Sequence, residues 1–124
     1  MERAKIKSFT DLIAWTKASD LVISVYTTLR AFPNSEKYGL VSQIQRAAVS
    51  VPANIAEGFS RISFKEKVQF YAIAHGSLTE LQSHLSLSLR LKFINNSNYT
   101  SLLNQSIEVS KLINGLIKSV RKAS

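Results

Sequence analysis

The sequence predicts an all-α protein, an antiparallel up-down bundle of four helices. Apolar residues recur at steps of three and four along four long segments, which is the spacing of one helix face. Short stretches rich in proline, asparagine and serine separate these segments, and short connections favour antiparallel neighbours. The chain has 124 residues, the size of one domain, so we expect a single bundle over residues 1–124.

The first helix is predicted over residues 9–31. Ser8 and Asp11 fit a capping box, in which each side chain accepts a hydrogen bond from a free backbone N–H at the helix start. Pro33 ends the helix because proline cannot continue the hydrogen-bond ladder. The apolar face consists of Leu12, Trp15, Ala18, Val22, Val25 and Leu29.

The second helix is predicted over residues 36–58. Glu36 suits the positive end of its dipole, and Gly58 is the expected stop. Pro52 lies inside the pattern and predicts a kink, since it removes one N–H and crowds the preceding turn. The apolar face consists of Leu40, Ile44, Ala47, Ala48, Val51 and Ile55.

The third helix is predicted over residues 64–94, with Ser63 and Glu66 as a second capping box. Leucine alternates with polar residues over residues 85–91, which is the strand period, but leucine is a good helix former and no partner strand is visible. We therefore predict helix there. The buried stripe of this helix consists of Phe64, Val68, Tyr71, Ala74, Leu78, Leu81 and Leu85. A second apolar stripe consists of Phe70, Ile73 and Leu87, so we expect the helix to be buried on more than one side.

Residues 95–98, Asn-Asn-Ser-Asn, predict a turn, and the fourth helix is predicted over residues 99–122. Its apolar face consists of Leu102, Ser106, Val109, Ile113, Leu116 and Val120.

The charge balance indicates an attraction for polyanions. Sixteen Lys and Arg face eight Asp and Glu, giving a net charge of +8. Nucleic acid is the first candidate partner and an anionic membrane the second, although such a charge can also serve solubility alone. The chain has no cysteine, which excludes disulfides and thiolate metal sites. No apolar run reaches the roughly 18 residues of a membrane span, and three of residues 1–5 are charged, where a secretory signal would lead into an uninterrupted apolar stretch. We therefore expect a cytoplasmic protein.

Three segments in the middle of the chain are distinctive: residues 36–40, EKYGL, residues 43–58, QIQRAAVSVPANIAEG, and residues 73–81, IAHGSLTEL. Matching positions begin earlier, at Phe9, Leu12, Trp15, Ala18 and Tyr26. Together these residues closely resemble a known family, the four-helix-bundle proteins of ribosomal RNA intervening sequences.

This resemblance implies a bundle that associates into a ring-like homopentamer. A related branch is similar to the accessory protein of diversity-generating retroelements, a basic pentamer that binds a reverse transcriptase and its template RNA. Three functions therefore remain open from the sequence: a non-catalytic module that binds RNA or a ribonucleoprotein partner, an accessory protein of a reverse transcriptase, and a purely structural oligomer with incidental charge.

Catalytic motifs are absent from the sequence. His75 and His84 are nine residues apart and lack the spacing of metal ligands on one helix face. Neither Ser50 nor Ser77 lies in a nucleophile elbow, and the four glycines are scattered singly. We expect no enzymatic activity, no cofactor and no metal.

Two sets of polar residues are candidate sites. The first lies along one strip of the second helix, and we interpret it as a structural or oligomer-fixing network in preference to a ligand site: Arg46, Asn54, Glu57 and Arg61. The second is a cationic set that we expect to contact nucleic acid: Arg90, Lys92, Lys111, Lys118, Arg121 and Lys122. Trp15 and Tyr26 are possible base-stacking residues, but Trp15 lies in an apolar stripe, which favours a core position.

Overall fold

The protein is all-α, as predicted. A computed structural model describes residues 5–124, and within that range the chain forms α-helices and short 3-10 turns but no strand. Residues 1–4, with which the predicted domain begins, lie outside the described residues. The four helices are α1 (Ile13–Leu29), α2 (Leu40–Ser60), α3 (Phe64–Arg90) and α4 (Asn96–Ala123).

The four helices pack in a closed cycle, in which each touches the next along the chain and α4 returns to α1. Contacts across neighbouring helices run in opposite senses. The hydroxyl of Ser50 in α2 lies 2.8 Å from the hydroxyl of Ser77 in α3. Arg46, which precedes Ser50 along α2, contacts Glu80, which follows Ser77 along α3. α2 and α3 are therefore antiparallel. The other neighbouring helices are antiparallel too, because the connections between them are short.

The core lies along the bundle axis and is built from the predicted helix faces. Ile44, Ile55, Leu78, Leu81 and Ile113 are among its fully buried side chains. The prediction missed two buried residues of α1, Ala14 and Leu21, and Trp15 and Val22 are only half-buried. Within residues 5–124 no helix is both long enough and apolar enough to cross a membrane.

The start of the first helix differs from the prediction. The capping box of Ser8 and Asp11 is present, but it opens a single 3-10 turn over Phe9–Asp11. Leu12 then leaves the helical region, with φ −77° and ψ 128°, and its side chain is buried. The α-helix therefore begins at Ile13, four residues later than predicted.

The second helix is shifted towards the C-terminus. Asn34–Glu36 form a 3-10 turn, and α2 begins only after Gly39. Glu36 still serves the helix start, since its carboxylate accepts a hydrogen bond from the Leu40 N–H at 3.4 Å. The helix runs on through Pro52 and ends at Ser60, so Gly58 is an interior residue and not the stop.

The end of the third helix is set by a residue that the prediction placed inside it. Lys92 has φ +64°, the left-handed conformation that glycine usually supplies. Its N–H donates to the Leu89 carbonyl at 3.1 Å, and the Phe93 N–H donates to the Ser88 carbonyl at 2.9 Å. This pair of bonds is a Schellman motif, and it ends α3 at Arg90 instead of residue 94.

The predicted turn at residues 95–98 is largely the first turn of α4. The Asn95 side chain accepts a hydrogen bond from the Asn98 N–H at 2.7 Å and thereby caps the helix. Asparagine is a preferred capping residue for this reason. The fourth helix therefore begins at Asn96, three residues earlier than predicted.

Candidate functional site

One end of the bundle is strongly basic. The antiparallel order brings the start of α1, the end of α2, the start of α3 and the end of α4 to the same end. We call this the basic end. Among residues 5–124 it carries three acidic residues, Asp11, Glu57 and Glu66, and eight basic ones: Lys5, Lys7, Arg61, Lys65, Lys67, Lys118, Arg121 and Lys122.

The structure divides the predicted cationic set between the two ends. Lys118, Arg121 and Lys122 lie in the last turns of α4, with Lys111 two turns earlier in a cleft beside Asp11. Arg90 and Lys92 lie just before the start of α4, at the opposite end. Since α4 has 28 residues, it is about 42 Å long at about 1.5 Å per residue. One short binding site cannot include all six cations of a single chain.

Two cations of the basic end are occupied by contacts within the chain. The Lys67 Nζ donates to the Phe59 carbonyl at 2.7 Å and to the Gly58 carbonyl at 3.4 Å, so it caps the end of α2. The Arg61 guanidinium donates to the Glu57 carboxylate at 3.1 Å and lies 4.6 Å from the centre of the Phe70 ring.

Other cations at this end remain available to a ligand. Lys65, Lys118, Arg121 and Lys122 are exposed, and none of them forms an ion pair with any residue of the described range 5–124. A positive surface whose charges are not neutralised internally attracts polyanions most strongly.

A cleft of about 400 Å³ lies at the basic end, between the start of α3 and the end of α4. We call it the basic cleft. Its apolar residues are Phe64, Val68 and Val120, and its polar residues include Lys65, Gln69 and Arg121. The predicted nucleic-acid set did not include Lys65, which lies at the start of α3. The antiparallel order of the helices was the signal that places Lys65 beside Arg121.

The predicted polar set on α2 does not form one network. Arg46 reaches across to α3, where its Nη2 lies 3.3 Å from Glu80 Oε2, and His84 Nε2 lies 3.1 Å from the same oxygen. Arg46 is therefore part of a small ionic group between α2 and α3, separate from the other three residues of the set.

The remaining members of that set form two further groups. The Asn54 side chain donates to the Ser50 carbonyl at 2.8 Å and to its hydroxyl at 3.0 Å, and that hydroxyl also meets Ser77. Glu57 and Arg61 pair with each other one turn further on. The first of these groups joins α2 to α3, and the second joins Glu57 to Arg61, the residue that follows the end of α2.

Both histidines contact other polar side chains of the bundle. His75 Nε2 lies 2.9 Å from the Ser110 hydroxyl of α4, and His84 belongs to the Arg46 group. In the described part of the chain, residues 5–124, no three His, Cys, Asp or Glu side chains are grouped so that they could hold a metal ion.

Neither of the two aromatic residues considered for base stacking lines the basic cleft. Trp15 is half-buried and packs edge-on against Phe9, with ring centres 5.2 Å apart. Tyr26 is exposed near the end of α1, at the opposite end of the bundle. The exposed aromatic side chain in the cleft is Phe64, which the sequence prediction placed in the buried stripe of the third helix.

Comparison with known proteins identifies the family. The family model described as 23S rRNA-intervening sequence protein matches residues 10–115. A solved structure is also similar: the crystal structure of a protein with unknown function from the S23 ribosomal protein family, from Bacteroides thetaiotaomicron VPI-5482. It is 26% identical, with a TM-score of 0.79, and the match covers 86% of this chain and 99% of that chain. No curated protein matches the sequence. The match over residues 10–115 spans most of the chain, and the protein belongs to the 23S rRNA-intervening sequence protein family.

Proposed function

We propose that this protein is a non-catalytic oligomeric module that binds RNA, free or within a ribonucleoprotein partner, through its basic end. The observation that carries the proposal is the group of cations there that form no ion pair among residues 5–124: Lys65, Lys118, Arg121 and Lys122. Cations that neutralise phosphates release counterions, and this release drives binding without reading the base sequence.

Self-association is the second part of the proposal, and the outer face of α2 and α3 supports it. Ile73 and Leu87 of α3 are 50% and 47% exposed, and Val49 of α2 is also exposed. Gly76 lies on the same face, and a Cβ added there would meet nothing within 4 Å. An apolar face with a glycine notch fits the backbone of another copy, and the proposed assembly is a closed ring, a pentamer.

A ring would repeat the basic end around its axis. Each subunit then offers the same few phosphate contacts. Once an RNA is bound to one subunit, it is present at a high effective concentration near the basic end of the next subunit. A weak attraction at one bundle becomes avid binding by the ring.

A salt series of RNA-binding measurements tests the proposal. With six or more phosphates contacted, the affinity of the wild type should fall about 10³-fold or more between about 50 and 200 mM salt. A variant with Ser at Lys111, Lys118, Arg121 and Lys122 should bind weakly and lose most of this salt dependence. The matched control removes four cations at the opposite end: Arg30, Lys37, Arg90 and Lys92.

The two variants carry the same net charge, so a difference between their RNA affinities shows which end of the bundle contacts the RNA. Equal losses in both would contradict binding at the basic end. A wild type that retains no RNA at physiological salt would contradict RNA binding itself and leave a purely structural oligomer. Weak RNA binding together with tight binding of a reverse transcriptase would indicate the accessory role instead.

A further inference from the structure

The basic cleft combines a concave apolar surface with cations on its rim. Phe64 is the first residue of α3, and it is 43% exposed although it lines the cleft beside Val68 and Val120. Lys65 and Arg121 lie on the two sides of this apolar surface, one from each helix. Flat apolar surfaces flanked by cations are what a protein offers to the bases and phosphates of single-stranded nucleic acid.

Comparison with another exposed aromatic side chain shows why the cleft matters. Tyr38 lies at the opposite end of the bundle and is 88% exposed, and the centre of its ring is 5.5 Å from the Lys37 Nζ. It projects from the turn before α2 and is not part of the basic cleft. Phe64 differs because it forms one wall of a cavity of about 400 Å³, within the range of small-ligand pockets.

The charges around the cleft favour a phosphate-bearing occupant over a neutral one. Lys65 and Arg121 have no ion-pair partner among residues 5–124, and Lys118 and Lys122 lie on the adjoining turns of α4. The Gln69 side-chain amide, also in the cleft, offers both a hydrogen-bond donor and an acceptor to the edge of a base.

We propose that the basic cleft holds one unstacked base of a single-stranded RNA against Phe64, with Lys65 and Arg121 on the neighbouring phosphates. The inference rests on the proposed function and adds to it a preference for single strands. A duplex keeps its bases stacked inside the helix and presents only phosphates and groove edges to such a cleft.

The test compares three RNAs of equal phosphate number: a single strand, a duplex and a single strand without bases. The wild type should bind the single strand about 10-fold more tightly than the abasic strand, which is the usual contribution of one stacked base. Phe64→Ala should abolish this preference and leave duplex binding and the salt dependence unchanged. Tyr38→Ala is the matched control and should keep the preference.

Two further variants separate stacking from folding and from charge. Phe64→Trp, in a Trp15→Phe background, should keep the preference, and its fluorescence should be quenched by the single strand and not by the abasic strand. Lys65→Ser combined with Arg121→Ser should lower the salt slope for the single strand by about 1.4, since each phosphate contributes about 0.7.

The outcomes distinguish this proposal from RNA binding in general. If the wild type binds base-containing and abasic strands equally, the cleft holds no base, even when binding remains salt-dependent. If no RNA binds at low salt, the proposed function fails together with the cleft. If Phe64→Ala weakens binding to anionic vesicles while the base preference is absent, the cleft is a membrane contact and our inference is overturned.

Discussion

The ring of Tyr71 lies against the backbone of Gly58, so that a Cβ added at Gly58 would come within 2.6 Å of the Tyr71 Cε1. The Lys67 carbonyl would lie 3.3 Å from the same Cβ. Tyr71 is buried, so its ring has no free space to retreat into. Glycine is therefore required inside α2, where the sequence indicated only a helix stop.

We expect Gly58→Ala to lower the free energy of unfolding by about 1–2 kcal/mol, since the cost of overpacking exceeds the helix propensity gained. Gly115→Ala is the control, because an added Cβ at that helical glycine meets nothing within 4 Å. It should raise stability by about 0.5–1 kcal/mol. Urea unfolding gives the free energy of unfolding of both variants. If both variants are more stable than the wild type, the Tyr71 ring does not restrict the space at Gly58.

Burial raises the pKa of Tyr71 above its usual 10.0, because the phenolate loses hydration in the core. The folded protein then holds this proton to higher pH than the unfolded chain does. The stability contribution is present in full below about pH 10 and is lost as the pH rises above it. We expect Tyr71→Phe to lose less stability than the wild type between about pH 8 and pH 11. Urea midpoints at both pH values test this, and parallel losses would refute it.

Lys92→Gly should stabilise the protein by about 0.5–1 kcal/mol. Lys92 adopts φ +64°, and a left-handed conformation costs residues other than glycine roughly 1–2 kcal/mol, partly offset by the entropy of glycine in the unfolded chain. Arg90→Gly removes the same charge from a helical position and should destabilise by about 1 kcal/mol. In thermal or urea unfolding, we expect Lys92→Gly to raise the free energy of unfolding and Arg90→Gly to lower it. Loss of stability in both variants would contradict a Schellman motif at the end of α3.

The proposed oligomer predicts different effects at two exposed glycines. A Cβ added at Gly76 or Gly115 meets nothing within 4 Å among residues 5–124, so we expect Gly76→Leu and Gly115→Leu both to fold. Only Gly76 lies beside the exposed apolar residues of α2 and α3. Light scattering should give the mass of five chains for the wild type and Gly115→Leu, and the 13.8 kDa monomer for Gly76→Leu. A wild-type monomer would contradict the assembly, and an unchanged Gly76→Leu oligomer would exclude this face.

Helix number and core faces were predictable because they depend on the spacing of apolar residues. Helix ends were less predictable, since local geometry decides them. Asn95 reads as a turn residue in the sequence, yet its side chain caps α4. Lys92 carries no signal for a left-handed conformation, because sequence patterns associate that conformation with glycine.

The candidate site was predictable in its chemistry but not in its position. Lys118, Arg121 and Lys122 follow from the charge of the last helix, but Arg90 and Lys92 lie at the other end of the bundle. Phe64 reads as a core residue from its spacing. Its exposure became visible only with the packing of α3 against α4, since spacing defines a helix face and does not show how far a neighbouring helix covers it.

The contact between Lys67 and the end of α2 has a consequence for the order of folding. Only residues 61–63 connect α2 to α3, and the Lys67 ammonium bridges this turn by binding the Phe59 carbonyl. Closing so short a loop loses little entropy, and local contacts of this kind accelerate folding. The α2–α3 hairpin is therefore expected to form first, with α1 and α4 docking later. In stopped-flow kinetics, Lys67→Met should slow refolding more than it speeds unfolding, as expected for a residue whose contacts are already made in the transition state.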